Sequence, residues 1–164
     1  MVENGSNSQS PKALHPPLGL LPTKIDDRGR LKFPAEARDF YLDQGIKEFF
    51  ITTTNEKSVD IYTLQRWYDN LAILENENDE DAAAIELIAK TYGSKVVMDD
   101  QGRLVIDKSL RDMFGLDGAE VRLSVTGIGV VRLIKSDEHQ RSLQSARERL
   151  AAGALRDKKT KGFI

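Results

Sequence analysis

A five-residue motif that combines carboxylates, a glycine and a guanidinium occurs twice in the chain. It reads DDRGR at residues 26–30 and DDQGR at residues 99–103. Aspartate side chains accept hydrogen bonds from nearby backbone N–H groups, and glycine adopts the positive φ that tight turns need. The motif therefore predicts a turn that Asp26 or Asp99 folds, next to an extended stretch.

The arginine that ends each motif has two possible roles. Arg30 and Arg103 either pair with the aspartates of their own turns or present an outward guanidinium to a phosphate or a guanine edge. A guanidinium on the outer face of a strand, beside a tight loop, is well placed for the second role.

The flanking positions differ between the two copies. Arg28 and Lys32 surround Arg30 in the first copy, whereas Gln101 and Val105 occupy the corresponding positions of the second. The first turn is therefore the more basic, and we expect it to bind an anion more strongly.

A further pair of arginines lies one helical segment after the motifs. Arg38 and Arg111 are counterparts in the two copies. Each could form a buried ion pair with an aspartate of the other half, or contact a phosphate, and the pattern leaves both alternatives open.

The motif belongs to a longer internal repeat. Over residues 25–41, seven of 17 positions are identical to those 73 residues later, and the offset slips to 72 further along. Two copies are too few for a solenoid and indicate a pseudo-two-fold domain in which each half completes the core of the other. We predict a flexible arm over residues 1–18, a first repeat over 19–92, a second repeat over 93–152 and a basic tail over 153–164.

Each copy predicts the same order of elements, which gives an α+β class. After the motif turn, Leu31 and Phe33 alternate with outward basic residues, as in a half-buried strand. A short helix follows, with Pro34 as its first residue in one copy and Asp107 as its N-cap in the other. A hairpin and a second helix complete each copy.

The hairpins and their helices have recognisable ends. The hairpins are predicted at residues 48–62 and 121–134, and the following helices are capped by Thr63 and Ser136. Another helix, over about residues 80–92, joins the halves and begins within an acidic stretch, where the helix dipole favours carboxylates.

Composition excludes several function classes. The chain has 164 residues, a net charge of -2 and no cysteine, so a generic polycation and a cysteine-based zinc site are both excluded. No apolar run is long enough to span a membrane. We predict no catalytic residue, metal or cofactor, and a reducing cytoplasm fits the absence of cysteine.

The doubled motif resembles the MraZ family of bacterial transcriptional regulators. Both copies of Asp-x-x-Gly-Arg precede an apolar strand and an arginine-ended helix, and Gly19 lies seven residues before Asp26. The resemblance covers residues 19–150. It departs from the family in the polar arm before Gly19 and in Gln101, where a base is usual.

The resemblance implies a fold, a partner and a set of residues. The fold would be a pseudo-two-fold AbrB-like swapped-hairpin β-barrel with flanking helices. The protein would bind short direct repeats in double-stranded promoter DNA, usually as a repressor of the division and cell-wall gene cluster, as a homo-oligomeric ring at the nucleoid. The candidate DNA-binding residues are Arg28, Arg30, Lys32, Arg38, Gln101, Arg103 and Arg111.

Two other classes of function share features with this sequence. Two aspartate loops related by pseudo-symmetry are also found in aspartic proteases, but these need Asp-Thr/Ser-Gly, and an adjacent arginine keeps a carboxylate ionised. An antitoxin-type DNA-binding or protein-interaction module of the same fold is the alternative, although the duplicated body argues against it.

Overall fold

The chain has a mixed α+β structure, as its pattern predicts. The computed structural model describes residues 15–162, so residues 1–14 of the predicted arm lie outside it. Within this range no helix combines the length and the apolar character that a membrane span requires.

Eight strands and six helices follow one another along the described residues. The strands are β1 Leu21–Lys24, β2 Arg30–Lys32, β3 Glu48–Thr52, β4 Val59–Thr63, β5 Ser94–Val97, β6 Arg103–Val105, β7 Glu120–Thr126 and β8 Val130–Lys135. The helices are α1 Ala35–Leu42, α2 Leu64–Glu77, α3 Glu80–Tyr92, α4 Lys108–Phe114, α5 Ser136–Ala151 and α6 Ala154–Thr160. Helix α6 occupies most of the predicted basic tail.

Three of the six described helices begin at an N-cap whose side chain accepts a backbone hydrogen bond. Thr63 and Asp107 are N-caps as predicted, and each accepts a hydrogen bond from a backbone N–H two or three residues later. Pro34 is the N-cap of α1 and not its first helical residue. The predicted cap at Ser136 is wrong: β8 continues to Lys135, which takes the cap position without a side-chain bond.

The strands form an open six-stranded sheet and a separate two-stranded ribbon. The sheet is antiparallel with the order β1-β7-β8-β4-β3-β5, and the ribbon pairs β2 with β6. The predicted closed barrel is wrong, because β1 and β5 are edge strands with one partner each within residues 15–162. The edge strands β1 and β5 each lead through a motif turn into the ribbon strands β2 and β6. The sheet and the ribbon are therefore joined through the chain at these two turns.

Two strand pairs place counterpart residues of the two copies opposite each other. Leu31 of β2 faces Leu104 of β6, which lies 73 residues later in the sequence. Asp60 of β4 faces Arg132 of β8, 72 residues later, and the arginine Nε donates to the carboxylate at 2.9 Å. If each strand of the sheet is replaced by its counterpart in the other copy, the strand order is reversed and otherwise unchanged. The axis of pseudo-symmetry therefore passes through both pairs.

One apolar core lies between the sheet and the ribbon. Its fully buried side chains come from both copies, so neither half encloses a core by itself. The largest are Tyr41, Phe33, Phe49, Ile25, Leu31, Ile51, Ile61, Leu104, Ile106, Leu110, Leu116 and Leu123.

Tyr41 is the one polar side chain of this core that the described residues leave without a hydrogen-bond partner. Its ring packs against Phe33, Phe40 and Phe49, its hydroxyl is buried, and burial raises the pKa of Tyr41 above its ordinary value. A buried hydroxyl without a partner lowers stability, because water has been removed and nothing replaces its hydrogen bond. The counterpart of Tyr41 in the second copy is Phe114.

We therefore expect Tyr41→Phe to stabilise the protein. Removing the unpartnered hydroxyl should raise the free energy of unfolding by about 1 kcal/mol. Chemical denaturation measures the change, with Tyr68→Phe, at an exposed position, as the control that leaves stability unaltered. A destabilised Tyr41→Phe protein would mean that the hydroxyl has a partner after all.

Candidate nucleic-acid interface

Each motif turn is folded by its own aspartate. Asp26 Oδ1 accepts from the backbone N–H groups of Arg28 and Arg30, both at 2.9 Å, and Oδ2 accepts from Arg30 Nε at 2.6 Å. Asp99 repeats this arrangement with Gln101 and Arg103 at 2.9, 2.9 and 2.7 Å. The predicted turn-folding role of the aspartates is therefore confirmed.

Hydrogen bonding keeps both carboxylates charged. The backbone N–H of Arg30, followed by its guanidinium, lowers the pKa of Asp26 below its usual value, and Arg103 lowers the pKa of Asp99 in the same way. An ionised aspartate orients the arginine beside it. Because only Nε is used, the two terminal amino groups of each guanidinium have no partner among residues 15–162.

The ribbon brings the two motifs onto one surface. Leu31 and Leu104 face the core, so the residues on either side of them face outward. Arg30 lies opposite Val105, and Lys32 lies opposite Arg103. Three of these four outward positions carry a positive charge. The side chains of Arg30 and Arg103 are 43% and 38% exposed, which leaves their guanidinium groups accessible.

One cross-strand pair on this surface joins two residues of like charge. Lys32 and Arg103 are direct neighbours across the ribbon, although like charges in that position destabilise a sheet. An anion placed over the pair would remove the repulsion.

Arg38 and Arg111 lie behind the turns, against the motif glycines of the opposite halves. Gly29 and Gly102 have φ of +81° and +80°. A Cβ on Gly29 would lie 2.5 Å from Arg111 Nε, and one on Gly102 would lie 2.9 Å from Arg38 Cδ. Each arginine therefore packs on the backbone of the other half's turn.

The acids that pair with these two arginines belong to the same half as the arginine. Arg38 Nε donates to Asp39 at 3.0 Å, and Arg111 donates to Asp117 at 2.6 Å and to the carbonyl of Ile106 at 3.0 Å. Of the two alternatives left open for these arginines, the ion pair with an aspartate of the other half is not formed among the described residues. The side chain of Arg111 is only 14% exposed, which suits a role in holding the turn.

The remaining predicted residues lie at the tips of the turns. Arg28 and Gln101 are both exposed, at corresponding positions. Val105 is also part of this surface, although it is not among the predicted residues, and it is 54% exposed between charged neighbours. Its alternation with the buried Leu104 was the available signal.

Curated proteins from three bacteria are similar in sequence to this chain. A protein of Acidobacterium capsulatum named "Transcriptional regulator MraZ" is 32% identical over 125 residues, which cover 74% of this chain and 82% of that protein. The chain belongs to the MraZ family. The resemblance seen in the doubled motif is thereby confirmed.

Two further proteins with the same name support the assignment. The MraZ protein of Koribacter versatilis is 32% identical over 127 residues, 74% of this chain and 82% of its own length. That of Thermomicrobium roseum is 28% identical over 114 residues, 66% of this chain and 75% of its own. No family model matches the chain. All three proteins are named as regulators of transcription and not as enzymes.

The packing behind the turns predicts a difference between glycines of similar backbone conformation. Gly45 has φ of +70° with open space around it, whereas a Cβ on Gly29 would also lie 2.8 Å from the carbonyl oxygen of Ile106. Gly45→Ala should lower the free energy of unfolding by about 1 kcal/mol through the left-handed backbone alone. Gly29→Ala should lose about twice as much or more, because a backbone carbonyl must move. Equal losses in chemical denaturation would contradict this account.

Proposed function

We propose that the protein is a sequence-specific DNA-binding transcriptional regulator that reads DNA with the outer face of its β2–β6 ribbon. The observation that carries the proposal is the like-charged pair of Lys32 and Arg103 in direct register, flanked by Arg30. Like charges in this register do not stabilise the ribbon, whereas a polyanionic partner would attract all of them.

The size of the ribbon suits the major groove of DNA. That groove is about 12 Å wide and admits a two-stranded β-ribbon. Arg30 and Arg103 would present their free terminal amino groups to guanine O6 and N7, and Val105 could contact a thymine methyl group. Because Asp26 and Asp99 already orient the two arginines, less side-chain freedom is lost on binding.

The other candidate residues have different parts in this proposal. Arg28 and Lys32 make the first turn more basic and would contact phosphates. Gln101 in the second turn would contribute a neutral hydrogen bond. Arg38 and Arg111 would act by positioning the turns.

The family resemblance and electrostatics support a proposal for the target, the sign of regulation and the assembly. We infer a repressor of the division and cell-wall gene cluster, with the AbrB-like swapped-hairpin arrangement, that acts in the cytoplasm at the nucleoid. A subunit of net charge -2 with a few phosphate contacts would bind DNA only weakly, with a dissociation constant on the order of 10⁻⁴ M. A ring that displays many ribbons would raise the avidity by roughly 10²–10⁴ and would match short direct repeats.

The two motif arginines should contribute unequally to specific binding. Arg30→Ala removes the guanidinium with basic neighbours and should abolish the preference for a promoter fragment over unrelated DNA. Arg103→Ala should weaken it less, and each bidentate contact to guanine is worth about 1–3 kcal/mol. Gel-shift titrations measure both variants, with thermal unfolding to verify folding. Equal losses, or none, would count against the proposed reading of DNA.

Lys32→Thr should separate stability from DNA binding. Loss of the like-charged pair should raise the free energy of unfolding by about 0.2–1 kcal/mol. DNA affinity should fall, and its dependence on salt concentration should become shallower. Both quantities are measured on the same protein, by denaturation and by gel shift across a salt series.

The matched control for this experiment is Lys95→Thr. Lys95 lies on edge strand β5, where it pairs with Glu48, and it is not part of the ribbon. The substitution makes the same change of side chain and should leave DNA binding unaltered. If Lys32→Thr behaves like this control, the ribbon is not the DNA-binding surface.

A further inference from the structure

Asp117 lies in the loop between α4 and β7, in the second copy of the repeat. Backbone bonds join this loop to the first copy. The N–H of Ile25 donates to the carbonyl of Ala119 at 2.9 Å, and the N–H of Ala119 donates to the carbonyl of Leu116 at 3.0 Å. Ile25 immediately precedes Asp26, the aspartate that folds the first motif turn. The loop of the second copy is therefore placed next to the turn of the first.

The Asp117 carboxylate holds the guanidinium of Arg111. Arg111 Nη1 donates to Asp117 Oδ1 at 2.6 Å, and Arg111 Nε donates to the carbonyl of Ile106 at 3.0 Å. Hydrogen bonds between ionised partners are shorter and stronger than bonds between neutral ones. The side chain of Arg111 is 14% exposed, whereas that of Asp117 is 51% exposed. An acid at the surface thus fixes an arginine that is mostly buried behind the turn.

Arg111 and Ile106 together form the surface on which Gly29 packs. The N–H of Ile106 donates to the carbonyl of Gly29 at 2.8 Å, while the Ile106 carbonyl accepts from Arg111 Nε. A Cβ on Gly29 would lie 2.5 Å from Arg111 Nε. Contacts therefore run from Asp117 through Arg111 and Ile106 to the backbone of the first motif turn. Because such interiors are close-packed, displacement of the Arg111 side chain would be transmitted to the turn.

An amide takes the equivalent place behind the second motif turn. Seventy-three residues before Asp117, the first copy has Gln44. The amide nitrogen of Gln44 donates to the carbonyl of Phe40 in α1 at 2.7 Å. A neutral amide that bonds to its own helix does not supply the charge-assisted bond that Asp117 gives to Arg111. The two copies therefore differ at this position in a way that affects one turn and not the other.

Arg38 supports the second turn with carbon atoms instead of a fixed guanidinium. A Cβ on Gly102 would meet Cδ, Cγ and Cβ of Arg38 at 2.9, 3.0 and 3.3 Å. Arg38 Nε donates to Asp39, the adjacent residue, at 3.0 Å. The side chain of Arg38 is 30% exposed, about twice the exposed fraction of Arg111. The first turn, which is also the more basic, is therefore the more firmly supported.

We propose that Asp117 is a positioning residue for the first motif turn and acts through Arg111. The carboxylate holds the guanidinium against the Ile106 carbonyl, and these contacts fix the turn that carries Arg28 and Arg30. Side chains that are already ordered lose less conformational freedom when they bind. The acid of one copy therefore controls how precisely the other copy presents its basic residues.

Asp117 supports DNA binding only if the first turn reads DNA, so this role rests on the proposed function. The positioning itself is a property of the free protein and is measured without DNA. A failure of positioning and a failure of DNA reading therefore give different results.

Hydrogen exchange of backbone amides in the DNA-free protein tests the positioning. Asp117→Asn keeps the size of the side chain and removes its charge. Exchange of the Arg28 and Arg30 amides, which Asp26 holds, should accelerate by about threefold or more through local opening. The second motif turn and the core strands should keep their wild-type rates. A purely structural role would instead lower global stability and accelerate exchange throughout the core.

Asp112→Asn is the matched control. Asp112 pairs with Lys108 on α4 at 2.6 Å, the same distance as the pair of Asp117 with Arg111. The side chains of Asp112 and Asp117 are 57% and 51% exposed. Both substitutions remove one negative charge from the same half and break one ion pair. Asp112→Asn should leave both turns at their wild-type exchange rates.

Two further variants test the route through Arg111. Asp117→Glu retains the carboxylate and should restore most of the protection of the first turn. Arg111→Lys removes the Nε donor and the forked guanidinium, so it should loosen the first turn although it lies in the second copy. Combining Asp117→Asn with Arg111→Lys should add little to either change, because both act on one set of contacts. Additive effects would overturn the proposed route.

Gel-shift titration measures the consequence for DNA binding. Asp117→Asn should lower the preference for a promoter fragment over unrelated DNA by about threefold or more, part of the roughly 5- to 150-fold that a bidentate guanine contact contributes. Asp112→Asn, with the same change of net charge, should leave that preference unaltered.

The results separate the positioning role from the reading of DNA. Unchanged exchange in the first turn of Asp117→Asn, or equal acceleration in both turns, would refute the positioning role. A loosened first turn with an unchanged promoter preference would support the positioning role and refute DNA reading by that turn.

Discussion

The structure depends on the way each half of the chain completes the motif turn of the other. The carbonyl of Gly29 accepts a hydrogen bond from the N–H of Ile106, and the carbonyl of Gly102 accepts from Phe33, both at 2.8 Å. The first bond joins the turn at Gly29 to the residue after β6, and the second joins the turn at Gly102 to the residue after β2. They flank the β2–β6 ladder and hold Leu31 against Leu104 under the charged surface. A Cβ at Gly29 would collide with the backbone carbonyl of Ile106, and one at Gly102 would press against the side chain of Arg38.

Duplication has kept this framework and changed what it carries. Counterpart strands have the same pairings. The pseudo-symmetry axis passes between two leucines in the ribbon, but in the sheet it passes between the unlike residues Asp60 and Arg132. Asp60 is buried and the arginine bonds to it, while burial beside this carboxylate raises the pKa of Tyr62 to about 12. Two identical copies would place like residues here, so the ion pair requires that the halves differ. The difference extends to the outer helices. Trp67 of α2 stacks on Phe50 in the first half, whereas the corresponding residues of the second half are His139 and Arg122.

Charge is separated along the molecule although the total is close to neutral. The strands of the ribbon carry three bases, two of which pair with aspartates of the turns. The α2–α3 hairpin is acidic, and residues 154–161 carry four bases and one acid. The net charge of the chain does not show this pattern, because the charges of the acidic and basic regions cancel. Long-range electrostatics acts through local surplus charge, since fields are screened within a few ångströms to about 10 Å in salt. Surface charge of each region, and not the net charge of the chain, is therefore the relevant quantity for binding.

Local sequence determined much of this protein. The repeat, the turn chemistry, the hairpins, the helix caps at Thr63 and Asp107, and the outward direction of Arg30 and Lys32 depend on neighbours within a few residues. Periodicity and side-chain capping are sufficient to predict such features. The sequence also indicated the MraZ family through the doubled motif.

Only the tertiary structure decided which residues from distant segments meet. Register between β2 and β6 places Lys32 against Arg103, and packing places Arg111 on Gly29 and Arg38 on Gly102. The open sheet, Asp60 opposite Arg132, and the unpartnered hydroxyl of Tyr41 are likewise outcomes of long-range pairing. A local pattern carries no information about the register between strands 70 residues apart, because that register is set by the collective packing of a core that both halves share.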